Sequence, residues 1–201
     1  MEAHLPLIKP LITIASNNPK KVAEIEAMLG PLPIEINRQP KDLNVEETGS
    51  TYLENALLKG VAASERTNGW TIADDSGLEV DALNGKPGIH SARFAKSNEE
   101  KLTKILSKLN GSLYRSARFI SVMVLCDPKG NLVCKSEGIC WGELLNEPAY
   151  IGGEFESIFW VKEAKCTYGE LTQAQLSKLG SRGKAARNLA PHLLKEFGLT
   201  N

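Results

Sequence analysis

Apolar positions along this chain change period several times, and each change marks an element. Residues 11–15 form a compact apolar run of strand length. After the polar stretch Ser16-Asn17-Asn18-Pro19-Lys20-Lys21, Val22, Ile25 and Leu29 recur at helical spacing until Gly30. Pro19 suits the first turn of that helix, and Asn17 or Asn18 its cap. Residues 34–37 read as a second strand. Thr51, followed three residues later by Glu54, is a capping box opening a helix with Leu53, Ala56, Leu57 and Val61 inward. Thr71 and Ile72 begin a β-branched run that delivers Asp74 and Asp75 into a Ser-Gly turn. Residues 78–83 then read as a separate short strand. The turn cluster 84–88 follows. A second capping box, Ser97 with Glu100, precedes a helix whose inner face is Leu102, Ile105, Leu106 and Leu109. Two β-rich runs, 118–126 and 131–141, flank a turn at 127–130 and make a long hairpin. Residues 151–161 form a glycine-led loop returning to a core strand. A short helix over 172–179 follows, and 180–184 opens a last helix over 185–197.

A strand–turn–helix opening followed by a hairpin predicts an α/β fold. The hairpin belongs to a second lobe, with the active cleft between lobes. The length fits one domain over residues 1–201, with no internal repeat or linker. Charge narrows the partners: 24 Lys and Arg balance 24 Asp and Glu, so no global field draws the chain to nucleic acid or a membrane. Cys126, Cys134, Cys140 and Cys166 form no CxxC pair, and His4, His90 and His192 are scattered away from them. Zinc is therefore not expected, and the thiols read as reduced. Residues 1–10 carry charges and prolines rather than an apolar leader core, and no run approaches ~18 apolar residues. These features predict a soluble cytoplasmic protein.

Candidate chemistry concentrates in residues 71–95. Two carboxylates leaving a buried strand, beside a glycine free to adopt positive φ, suit a hard cation. Charges placed there need a metal or a base role to offset their desolvation. The first strand–helix junction suits an anion, with helix amides, Ser16 and Asn18 as donors and Lys21 as a charge. It lacks the glycines and the Gly-Lys-Ser/Thr ending of a P-loop. Glu46 and Glu47, just ahead of the second helix, could add a carboxylate. Glu54 reads equally as a cap or a functional group, and the placing of Asn55 and Lys59 stays open. Gly180-Ser181-Arg182-Gly183-Lys184 suits either an anion or an ordinary helix start.

In order along the chain stand Ser16-x-Asn18-x-x-Lys21, Glu46-Glu47-Thr48-Gly49 and Glu54-Asn55-Ala56-x-x-Lys59. Ala73-Asp74-Asp75-Ser76-Gly77-Leu78, Pro87-Gly88-Ile89 and Ser91-Ala92-Arg93-Phe94 follow. Together these segments resemble the inosine triphosphate pyrophosphatase family, house-cleaning nucleotide hydrolases of the Ham/Rdg type. The resemblance implies an elongated, two-lobed α/β fold with a central mixed β-sheet flanked by helices, commonly a homodimer. It implies Mg²⁺-dependent hydrolysis of nucleoside triphosphates to monophosphate and pyrophosphate, with ITP, dITP and XTP as default substrates. By the same resemblance Glu46, Asp74 and Asp75 hold Mg²⁺, with Glu47 nearby, and Asp75 accepts the proton of the attacking water. Ser16, Asn18, Lys21 and Lys59 hold the phosphates, Ser76 contacts substrate, and Arg93 either touches substrate or packs the lobes.

The C-terminal half departs from the family pattern. Where the family has Gly-Phe-Gly-Tyr/Trp-Asp-Pro-x-Phe, this chain has Gly152-Gly153-Glu154-Phe155-Glu156-Ser157-Ile158-Phe159. Gly153 stands for the stacking Phe, Phe155 for the Tyr/Trp and Glu156 for the Asp. Leu176 replaces a lysine, and Gly180-Ser181-Arg182 keeps only the arginine of a Ser-His-Arg triplet. Phe155, Glu156, Ser181 and Arg182 are the candidate base contacts, and an altered or relaxed base preference is expected. The alternatives are a pyrophosphatase for another modified nucleotide and a non-catalytic nucleotide-binding protein.

Overall fold

One seven-stranded sheet, in the order β2-β1-β3-β4-β5-β6-β7, organises the computed structural model, which describes residues 9–199. Residues 1–8, with His4 and most of the stretch read for a leader, lie outside the described residues, as do 200–201. β1 (Leu11–Ile14) leads through α1 (Pro19–Leu29) to β2 (Glu35–Arg38), and α2 (Tyr52–Thr67) leads to β3 (Trp70–Val80). Both β2 and β3 run parallel to β1, one on each side of it. After α3 (Asn98–Lys108) come β4 (Ser116–Cys126), β5 (Leu132–Leu144), β6 (Phe159–Val161) and β7 (Cys166–Thr167), each antiparallel to its neighbour. The short α4 (Gln173–Leu179) and α5 (Ser181–Glu196) close the chain. The result is a mixed sheet flanked by five helices.

Local chemistry sets the helix starts. Asn18 caps α1, Thr51 and Glu54 cap α2 reciprocally, and Ser97 caps α3. No helix among the described residues is long and apolar enough to cross a membrane. The four cysteines are free.

The structure corrects the sequence reading at β3. Asp74 and Asp75 do not enter a turn; they lie inside one continuous eleven-residue strand. The β1 partner ends opposite Ile72, but β4 goes on pairing β3 from Thr71 to Val80, so the backbone stays extended. Gly77 serves close approach rather than a turn, because a Cβ there would overlap the Gly88 carbonyl. Residues 81–83 form a 3₁₀ turn instead of continuing the strand, and the last helix begins at Ser181 rather than at 185.

Two hydrophobic clusters meet along β3. Ile72 packs with Ile12, Ile14, Ile25, Met123 and Leu189, while Leu78 and Val80 pack with Ile105, Leu109, Leu144, Ile158 and Phe159. Between them β3 carries Asp74, Asp75 and Ser76, at the level where β1 stops. A polar break in a buried strand is costly unless its groups are paired, and the pairing builds the site.

Candidate active site

The order β2-β1-β3 reverses the direction of chain travel about β1, which opens a crevice beyond the carboxyl ends of β1 and β3. The β1–α1 loop brings Ser16, Asn18 and Lys21 to this crevice, and β3 overshoots along it with Asp75 and Ser76 lining the cleft and Asp74 buried behind them. Alternation along the strand turns Asp74 and Ser76 toward α1 and α5, and Asp75 toward α2.

Asp74 is fully buried. Its Oδ2 accepts from Arg182 Nε at 3.1 Å and lies 3.6 Å from Lys21 Nζ, while Oδ1 has no hydrogen-bond partner among the described residues. Burial pushes this carboxyl up, but Lys21 and Arg182 outweigh it and hold the group well below the usual carboxylate range. Arg182 also donates to Glu24 and, at 3.0 Å, to Ser76 Oγ. Asp75 faces a different set: Asn55 Nδ2 donates to its Oδ2 at 3.1 Å, and Lys59 Nζ lies 3.7 Å from Oδ1. Burial raises the Asp75 carboxyl above its ordinary value, with Lys59 and Lys21 opposing. Glu47 pairs with Lys59 at 2.6 Å and with Arg93 at 3.0 Å. Burial raises its carboxyl too, but the Lys59 hydrogen bond and charge prevail and the net shift is downward.

Beyond this charged end the cleft encloses about 180 Å³ and gains an apolar wall of Leu78, Ile89, Phe119, Phe155 and Tyr168. Phe155 is buried in that wall, and Glu156 next to it pairs with Lys20 at 2.7 Å. Ser181 is buried, with its hydroxyl 2.9 Å from that of Ser121. No aromatic ring fits at position 153, because even a Cβ there would overlap Ser157 and Tyr150.

Two placements differ from the simplest sequence expectation. The Asn18 carboxamide oxygen accepts from the amides of Lys20 and Lys21, so the cap already occupies amides that an anion could have used. Glu46 is exposed and lines neither cavity at this edge, whereas Glu47 lines both. Exposure alternates along residues 45–49, so the adjacent carboxylates Glu46 and Glu47 face different ways. Among the described residues, no three His, Cys, Asp or Glu side chains converge as a ready-made metal cage.

The sequence reading missed one site residue, Glu24, and left the placing of Asn55 open. Glu24 carried a signal, since it is a charge within the buried stripe formed by Val22, Ile25 and Leu29 of α1. Asn55 is buried and bridges Asp75 to the Gly49 amide, a double role that its position on α2 does not announce. Close packing also positions Arg182, because α5 sits directly on Gly138 of β5. A Cβ at Gly138 would overlap the Ser181 carbonyl and the Ala185 amide. Gly138→Ala is therefore expected to destabilise the fold by about 2 kcal/mol, read as a lower urea midpoint. An unchanged midpoint would show that α5 can shift freely.

Comparison with known proteins gives a consistent picture. The Ham1 family profile matches residues 12–192. A dITP/XTP pyrophosphatase of Synechocystis sp. is 41% identical over 181 residues, covering 90% of this chain and 93% of that protein. A HAM1 protein from Coxiella burnetii superposes with a TM-score of 0.83 at 33% identity, over 92% of this chain and 99% of the other. The Staphylococcus aureus Ham1 protein gives a TM-score of 0.80 at 36% identity, over the same shares.

Proposed function

The chain belongs to the Ham1 family, and from that premise we propose that it hydrolyses nucleoside triphosphates to the monophosphate and pyrophosphate. Its preferred substrates in this reading are the deaminated purines ITP, dITP and XTP. The observation that carries the proposal is the meeting of two unlike surfaces in one cleft. A cluster of Lys21, Lys59, Glu47 and Asp75 stands at one end, and the apolar wall around Phe119, Phe155 and Tyr168 at the other. A triphosphate matches the first and a heteroaromatic ring the second.

Phosphoryl transfer asks for positioning and charge neutralisation more than for covalent help. Ser16, Asn18, Lys21 and Lys59 grip the phosphates. A water oxygen bonds to the α-phosphorus and gives its proton to Asp75, whose basicity burial has raised. The bond from that phosphorus to the α–β bridging oxygen breaks, and the oxygen leaves on pyrophosphate. Arg182 orients Asp74 and Ser76 beside the reacting group.

The residues fit Mg²⁺, since the donors are carboxylate oxygens and Asp74 Oδ1 has no other partner. Asp74, Asp75 and Glu47 would hold the ion together with substrate phosphates, with Glu46 exposed beside them. When bound, the cation neutralises phosphate charge and acidifies the attacking water. In the same reading each hydrophobic cluster is the core of one lobe of a single domain. The enzyme works as a cytoplasmic homodimer on free nucleotides, without nucleic-acid or membrane partners. The balanced charge supports the absence of a polyanion partner, and exposed Trp141 on β5 supports a dimer contact.

Pyrophosphate release from ITP, dITP, XTP and the standard triphosphates, with Mg²⁺ and with chelator, tests the proposal. Turnover led by ITP and XTP and abolished by chelator is expected, with ATP slower by about 10²-fold. Turnover led by another base would redirect the enzyme to a different modified nucleotide. Binding without turnover would make it a nucleotide-binding protein.

A further inference from the structure

Glu156 stands across the cleft from Lys20. Glu156 belongs to the 3₁₀ turn Phe155–Ser157, whose Phe155 forms part of the apolar wall, and Lys20 belongs to the first turn of α1. Their side chains meet at 2.7 Å, with the carboxylate 18% exposed and the lysine 66% exposed. Successive helical residues point about 100° apart. Lys21 accordingly turns to Asp74 in the charged cluster, while Lys20 turns to the wall.

We infer that Lys20, oriented by Glu156, reads the keto oxygens of the base and sets a preference for oxo-purines over amino-purines. The inference rests on the pyrophosphatase reading above. Two other polar groups near the wall, Arg182 and Ser181, are already engaged. Arg182 donates to Asp74, Glu24 and Ser76, and the Ser181 hydroxyl meets Ser121. Leu176 is apolar and packs beside the second hydrophobic cluster, and position 153 has no room for a side chain. An ammonium has three donors and no acceptor, and Glu156 takes one of them. The remaining donors match a carbonyl oxygen and oppose an exocyclic amine. Glu156 is thus a positioning residue, and Lys20 the specificity-determining one.

The test measures kcat/KM for ITP, XTP and ATP in the full chain and in Lys20→Met, Lys20→Arg and Glu156→Gln, together with inhibition by inorganic tripolyphosphate. Lys20→Met is expected to lower the ITP:ATP ratio about tenfold or more, with tripolyphosphate inhibition unchanged. Lys20→Arg keeps most of the ratio. Glu156→Gln lowers it less than Lys20→Met, and adding it to Lys20→Met costs nothing further. An unchanged ratio in Lys20→Met would reduce the pair to a solvated surface contact. An equal loss on all nucleotides and on tripolyphosphate would make Lys20 a phosphate ligand. Either result overturns the inference. Wild-type protein that binds nucleotides but does not hydrolyse them defeats the pyrophosphatase reading instead. The same ratio is then read from calorimetric Kd values for ITP and ATP in chelator, with the same tenfold criterion.

Discussion

Asp75→Asn lowers kcat for nucleoside triphosphate hydrolysis about a thousandfold while the protein stays folded. The substitution keeps the shape and retains an oxygen for the Asn55 amide, so the α2 contact survives. What it removes is the basic carboxylate that burial has raised and that faces Lys59 across 3.7 Å. Lys59 keeps Glu47 at 2.6 Å, so no ammonium is stranded. Thermal unfolding should therefore shift little, because losing a partly desolvated charge offsets losing its ion pair. Single-turnover kinetics with ITP, beside a melting curve, separate the two effects. Activity within tenfold of wild type would remove Asp75 from the proton-accepting role.

Arg182→Met is expected to cost about 3 kcal/mol of stability as well as activity. Arg182 is the buried partner of both Asp74 and Glu24, and truncation leaves two carboxylates with Lys21 as the nearest compensation. The double variant with Glu24→Gln should recover part of the loss, since one stranded charge is then neutral. The pH dependence follows with a definite sign. The Asp74 carboxyl is held below its unfolded value, so its contribution is present above about pH 4 and is lost as pH falls further. Wild-type stability therefore drops in that acid window, and the drop is shallower in Arg182→Met. Urea midpoints across the window check both statements, and parallel curves for the two proteins would contradict them.

Features made by local chemistry were legible in the sequence. The capping residues at Thr51 and Ser97 and the buried stripe of α1 depend on neighbours a few positions away, and the helices start where those residues stand. β3 was not legible as one strand. Asp-Asp-Ser-Gly is turn chemistry, and only the ladder with β4, contributed from beyond α3, keeps it extended. Which of Glu46 and Glu47 lines the crevice was hidden for another reason. Two adjacent carboxylates in an irregular segment differ only in which way they face, and the Lys59 and Arg93 partners of Glu47 come from distant elements. Distance in sequence likewise hid the Lys20–Glu156 pair, whose members are 136 residues apart. The polar groups of β3 could be seen as chemistry; their division between the α5 side and the α2 side needed the sheet.

Hydrolysis of ITP in heavy-oxygen water, with products separated and weighed by mass spectrometry, tests the central claim most directly. Attack by water at the α-phosphorus predicts IMP and pyrophosphate in equal amounts, with the heavy oxygen in IMP. IDP with orthophosphate, or label carried by pyrophosphate, would contradict it.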